Sequence, residues 1–168
     1  MILKKLDKPY VIAEIGCNHN GDTNIGLKMI KAAKDCGADA VKFQYFTKDN
    51  LFTSDYLDEL DSGKVKLENV DKWEDKVLGL TNIREQISAF TNSEKQLLIF
   101  RNYCSEIKID FGCTPVDVDG IKFLSSIKSD FIKISSMDAN NLEIIDACID
   151  TNLPIIISTG MATLQDID

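Results

Sequence analysis

Histidine is almost missing from this sequence: His19 is the only one. A metal site built from a cluster of imidazoles is therefore excluded within the chain. Long apolar runs are missing too, with no stretch near the roughly 18 residues of a membrane span. The opening "MILKKLDKPYVIAEIG" is broken by polar residues before any run of signal-peptide length. Basic charge is scarce, with 19 Lys and Arg against 27 Asp and Glu and a net charge of -8. That balance argues against non-specific binding to nucleic acid or anionic membrane, while leaving room for a local positive site for an anion. Metal-type cysteine spacing is also lacking. Cys17, Cys36, Cys104, Cys113 and Cys148 contain no CxxC pair and are odd in number, so they read as reduced packing residues of a cytoplasmic protein.

What is present is globular composition in a length that suits one domain with a sizeable core. Apolar, β-rich segments alternate with helical patterns. The expected strands are 10–16, 39–44, 110–114, 130–136 and 153–160. Asp22 or Thr23 is expected to cap a helix with apolar positions Ile25, Leu27, Met29, Ile30, Ala33 and Cys36, stopped by Gly37. Thr91 with Glu94 reads as a capping box opening a second helix, Asp117 caps a third, and Asn140 or Asn141 a fourth. Residues 45–82 read as a polar excursion around Trp73, either surface or a lid. The final "MATLQDID" has the look of one more helix start.

Five β-α units with strands apolar on both faces imply a parallel sheet covered by helices. An open doubly wound sheet and part of a (β/α)8 barrel both fit. A full barrel needs about 250 residues, so the expected fold class is α/β, an incomplete TIM barrel of about five β-α units.

Reactive groups of parallel α/β folds collect where strands end. Here those ends carry Glu14, then Lys42 and Gln44, then Thr114, then Lys133, Ser135, Ser136 and Asp138, then Ser158 and Thr159. Lys42 is the odd residue in "ADAVKFQYF", since a buried ammonium needs a partner or loses its proton. Two lysines with hydroxyls beside them suit a phosphate or carboxylate held between them. The plainer reading is a structural ion pair of Glu14 with Lys42 or Lys133. His19 is equally open: a turn residue bonded to backbone, or a group facing substrate.

The segments "IAEIGCNHNGD", "AAKDCGADAVKFQ", "GCTP", "KISSMD" and "PIIISTGMAT" resemble, in order, the N-acetylneuraminate (sialic acid) synthase family, with its pseudaminate, legionaminate and spore-coat relatives. The resemblance implies a (β/α)8 barrel that condenses phosphoenolpyruvate with an N-acetylmannosamine-type aldose and releases phosphate. Carried over by position, Lys42, Thr114, Lys133, Ser136 and Ser158 would hold the phosphate and carboxylate of phosphoenolpyruvate. Glu14 would be the catalytic carboxylate, with Lys42 beside it. Gln44 and Asp138 would be sugar-side or supporting contacts, and Asp138 departs from the glutamate many members carry.

The resemblance also implies a divalent metal, Mn or Mg, held by two histidines of the second half of the barrel. The chain is accordingly expected to be the N-terminal part of a synthase barrel, 1–168, without the rest of the barrel or the antifreeze-like domain. Alone it is expected to be inactive, and to form a homo-oligomer or associate with the missing half through its open first and fifth strands. The alternatives are a Schiff-base aldolase using Lys42 or Lys133, and a non-catalytic half-barrel serving binding or assembly.

Overall fold

The computed structural model describes residues 8–62, 64, 88 and 90–167. Trp73 and most of the excursion around it lie outside these residues. In chain order the elements are β1 (Ile12–Gly16), α1 (Thr23–Asp35), β2 (Ala40–Tyr45), α2 (Lys48–Leu51), α3 (Ser54–Asp61), α4 (Glu94–Ile107), β3 (Asp110–Pro115), α5 (Val118–Ser126), β4 (Phe131–Ile134), a 3-10 turn (Ser136–Asp138), α6 (Leu142–Asp150), β5 (Ile155–Ile157) and α7 (Leu164–Ile167).

The five strands form one sheet in the order β1-β2-β3-β4-β5, each neighbouring pair parallel. That order decides between the two expected architectures. A doubly wound sheet reverses its strand order at a switch point and places helices on both faces. Here the order never reverses, and α1, α4, α5 and α6 all pack on one face. Val41, Phe43, Phe111 and Cys113 pack with Ile30 of α1 and Leu97, Phe100 and Cys104 of α4. Ile132 and Ile134 pack with Ile121 of α5 and with Ile144 and Cys148 of α6. Strand side chains alternate, so Lys42, Gln44, Thr114 and Lys133 stand on the opposite face. This one-sided winding is that of a barrel wall.

Local chemistry sets the helix ends. Asp22 Oδ1 accepts from Asn24 N at 2.7 Å and Ile25 N at 3.0 Å, so α1 starts at Thr23. Gly37, at φ 85°, takes the left-handed turn that ends it. The expected apolar stripe is narrower than read: Ile25 and Cys36 are exposed, whereas Ile30 is fully buried. The capping box of α4 is Ser93 with Gln96, two residues later than Thr91 with Glu94. Gln96 wins because its amide Nε2 also reaches Gly21 O at 2.6 Å, tying α4 to the start of α1. Asn141 caps α6 and Asp117 caps α5, as expected.

Phe131 alternates onto the same face as Lys133 and is fully buried there. Its ring covers Gly112, the residue paired with it across β3 and β4. A Cβ built on Gly112 would lie 2.1 Å from Phe131 Cζ, so no side chain fits there without moving that ring. Gly112→Ala should destabilise the fold by about 1–3 kcal/mol, read from the midpoint of a urea unfolding curve. Combining it with Phe131→Leu should recover part of that loss; an unchanged midpoint in the single variant would refute the close packing.

Candidate active site

Lys42 answers its burial with two partners. Its Nζ lies 2.6 Å from Glu14 Oε2 and donates to Thr114 Oγ1 at 3.0 Å. Register produces this. Glu14 pairs with Lys42 across β1 and β2, and Gln44 pairs with Thr114 across β2 and β3. The lysine thus meets the carboxylate at its own level and reaches up one step to the threonine. Thr114 is buried and accepts this bond, which leaves its own hydroxyl proton to donate elsewhere.

The geometry contains the pair that the plainer reading expects, Glu14 with Lys42, with β1 at the edge of the sheet. Lys42's side chain is 12% exposed but Glu14's is 50% exposed, so solvent reaches the carboxylate. A bulge between Glu14 and Gly16 breaks the regular pairing, and Gly16 takes φ 56°. The backbone there carries the Glu14 side chain across Gly16: a Cβ on Gly16 would sit 3.2 Å from Glu14 Oε1 and 3.7 Å from Gln44 Nε2. Glycine is required at this position by both φ and space.

Lys133 completes the group of charges. Its ammonium donates to Ile134 O at 2.5 Å. Burial lowers its pKa first, the positive charge of Lys42 lowers it further, and Glu14 partly offsets both. Lys42 and Lys133 stand on the same inner face, with β3 and its Thr114 between their strands. Gln44 joins them through its amide, which accepts from the Cys17 thiol at 3.6 Å. Burial, helped by Glu14, pushes that thiol up to about 11, so it stays protonated and acts as a donor rather than a nucleophile.

Other expected residues lie differently. β4 ends at Ile134, so Ser135, Ser136 and Asp138 sit in the following turn rather than on the strand. There Asp138 Oδ2 accepts from Ser135 Oγ at 2.7 Å, which braces the turn. β5 is only Ile155–Ile157, shorter than 153–160, because it pairs with β4 alone and over three residues. Ser158 follows it, its N–H bonded to Ile134 O at 3.2 Å, and Gly160 lies against Ser136. The β4 and β5 loops therefore meet at the same rim. His19 is not on that rim: it is fully buried among Phe43 and Phe100 in the helix layer.

Two residues near the site went unread in the sequence. Cys17 was counted with the packing cysteines, although it directly follows the bulge. Asn92, which donates to Gln44 O at 2.9 Å, was hidden inside the misplaced capping box.

Replacing Lys42 with alanine should raise the Lys133 pKa, because a positive neighbour is lost. Glu14→Gln should lower it, because an attractive charge is lost. NMR titration of the Lys133 side chain checks both signs, and movement in the same direction for the two variants would contradict the shared site.

The chain matches the NeuB family over residues 29–168. It is 36% identical to N-acetylneuraminate-9-phosphate synthase of Drosophila melanogaster over 98% of its own length and 41% of that protein's. It is 32% identical to N,N'-diacetyllegionaminic acid synthase of Legionella pneumophila, over 94% of its own length and 41% of that protein's. Among solved structures, it superposes on the N-acetylneuraminic acid synthetase of Leptospira borgpetersenii, solved with citrate, with a TM-score of 0.69 and 27% identity, covering 94% of this chain and 47% of that one. A 3-deoxy-D-arabino-heptulosonate 7-phosphate synthase from Thermotoga maritima shares the fold at TM-score 0.59 and 12% identity, over 94% of this chain and 43% of that one. The chain thus spans about two-fifths of the length of the curated relatives it matches. Strand order, inner-face charges and sequence agree: the chain belongs to the NeuB family, whose members include nonulosonate synthases.

Proposed function

We propose that this chain carries the phosphoenolpyruvate-holding portion of a sialic-acid-type synthase, which condenses phosphoenolpyruvate with an N-acetylmannosamine-like aldose to a nonulosonate and phosphate. The observation that carries this reading is the Lys42 ammonium fixed between Glu14 and Thr114, with Lys133 charge-coupled to it on the same face. Phosphoenolpyruvate bears a carboxylate and a phosphate on adjoining atoms, and two neighbouring ammonium groups with hydroxyl donors match that pair of charges. Ser136 and Ser158, at the meeting of the β4 and β5 loops, are placed to supply further donors from the rim.

In this reaction C3 of the enol attacks the aldehyde carbon, and C2 becomes oxocarbenium-like. Water then adds to C2, and the C2–O bond to phosphate breaks. Glu14 is the group for the C2 side: its solvent-reached carboxylate offsets positive charge there and takes a proton from the incoming water. Lys42, Thr114 and Lys133 hold the anion in place, so their contribution is positioning. Gln44 and Asp138 contribute on the sugar side, Asp138 by bracing its turn.

A divalent metal, Mn or Mg, is also part of the reaction proposed. Among the described residues, no three His, Cys, Asp or Glu side chains gather to hold one. The lone histidine is buried behind the sheet. The described residues do not fit a metal, and none of them is assigned as its ligand.

Five unpaired cysteines suit a reducing compartment, and we place the protein in the cytoplasm on that ground. Among the described residues no helix is long and apolar enough to cross a membrane.

A 31P line-broadening titration of phosphoenolpyruvate tests the reading. Lys42→Ala and Lys133→Ala should each weaken binding about tenfold or more, with the far-UV spectrum unchanged. Binding that is equal in both variants and the unsubstituted chain would overturn it. The lowered pKa of Lys133 also suits a Schiff-base lysine. A borohydride-trapped pyruvate adduct on Lys133 would transfer the assignment to an aldolase.

A further inference from the structure

Behind the ion pair, in the layer between the sheet and helices α1 and α4, three buried polar atoms lack a hydrogen-bond partner: His19 Nδ1, His19 Nε2 and Asn92 Oδ1. Buried polar atoms are nearly always satisfied, so three in one place call for an account. Both residues are almost wholly inaccessible, His19 at 0% and Asn92 at 1% exposure. Asn92's other half is employed, since Nδ2 donates to Gln44 O at 2.9 Å. The His19 ring lies edge-on to Phe100 at 5.4 Å and tilted to Phe43 at 6.0 Å, and those two rings stack at 4.7 Å. Its backbone carbonyl accepts from Asp22 N at 2.9 Å, which ties the turn to the cap of α1.

One ring nitrogen and the amide oxygen are complementary, and the second ring nitrogen stays a buried acceptor among aromatic rings. A neutral imidazole has one N–H to give, and an amide oxygen has lone pairs to receive it. Phe43 and Phe100 offer nothing polar. His19 and Asn92 both meet the end of β2, the first against the Phe43 ring and the second on the Gln44 carbonyl. Burial lowers the His19 pKa, and Asn92 and then the Asp22 carboxylate pull it partly back.

We infer that His19 and Asn92 form a positioning pair for the active site: the neutral imidazole donates to Asn92 Oδ1, and Asn92 holds the Gln44 carbonyl through Nδ2. The strand so fixed is β2, which carries Lys42 and Gln44 on its other face. The turn after β1 and the approach to α4 are thereby clamped to the end of β2. The level of Lys42 against Glu14 and Thr114 is set from behind the sheet. The functional half of this inference rests on the proposed phosphoenolpyruvate site; the hydrogen bond itself does not.

Because the sequence has a single histidine, a 15N-labelled histidine spectrum reports on His19 alone. The unsubstituted chain should show one neutral tautomer that persists below the ordinary pKa of 6.5. Asn92→Leu should shift its protonated nitrogen. A tautomer mixture, or a single tautomer unaffected by Asn92→Leu, would overturn the pair. Two further variants separate positioning from packing. His19→Phe keeps the apolar fill but removes the donor, whereas His19→Gln keeps a donor.

The positioning role predicts phosphoenolpyruvate binding about tenfold weaker in His19→Phe, and recovered to within about threefold in His19→Gln. A residue that only fills the core predicts the reverse order, and that result would overturn the inference. If the unsubstituted chain does not bind phosphoenolpyruvate at all, the functional reading fails, while the tautomer spectrum still decides the pair.

Discussion

The site depends on one ammonium group brought to the inner face of a parallel sheet. Lys42 occupies a strand whose neighbouring residues Val41 and Phe43 are fully buried against helices. Alternation alone turns it to the other side. A charge in that position is sustained only where it meets opposite charge and hydrogen-bond acceptors. Glu14 and Thr114 meet it because parallel register sets the two flanking strands at fixed levels beside β2. Strand order therefore matters to chemistry as much as to architecture. Inserting any other strand between β1 and β2, or β2 and β3, would separate the three residues.

Much of this was legible in the sequence because it follows from local rules. Lysine inside an apolar run marked Lys42, and Asp22, Gly37, Asp117 and Asn141 announced helix ends by their residue type. The fold class was legible as far as a parallel sheet. The choice between doubly wound and barrel-type winding rests on strand order, which no local pattern encodes. The ends of β4 and β5 were overextended because the serines and threonine of "ISS" and "IST" carry no proline or glycine to mark where the strand stops. The capping box slipped because Thr91 with Glu94 and Ser93 with Gln96 satisfy the same spacing. Only the contact of Gln96 with Gly21, 75 residues away, separates them.

The site residues divide in a similar way. Glu14, Lys42 and Thr114 share an ion pair and a hydrogen bond, so their grouping is a matter of distance. Lys133 joins by charge, its acidity responding to both Lys42 and Glu14. Ser136, Asp138 and Ser158 occupy loops rather than strands, which makes their positions depend on turns braced by contacts such as Ser135 with Asp138. Rigid strands hold the charges, and loops carry the adjustable donors. That division suits a family whose members are synthases of different nonulosonic acids, since variation in loops leaves the strand-borne lysines untouched.

The two partners of the ion pair differ in exposure, with Glu14 on the edge strand of the sheet. A pair meant only to hold two strands together gains most when both partners are shielded and fully bonded. Here one partner is shielded and the other open, with 12% against 50% exposure. Water can therefore compete for Glu14 while Lys42 stays tied to Thr114. In the proposed reaction this asymmetry is useful. The lysine must remain charged and fixed to grip an anion, whereas the carboxylate must exchange partners, turning from the ammonium to an incoming water. The bulge at Gly16 supplies the room for that change, because a residue with a side chain there would crowd Glu14 Oε1 at 3.2 Å. A backbone irregularity, read by itself as a defect in pairing, then leaves room around the carboxylate proposed to be catalytic, beside a lysine tied to Thr114.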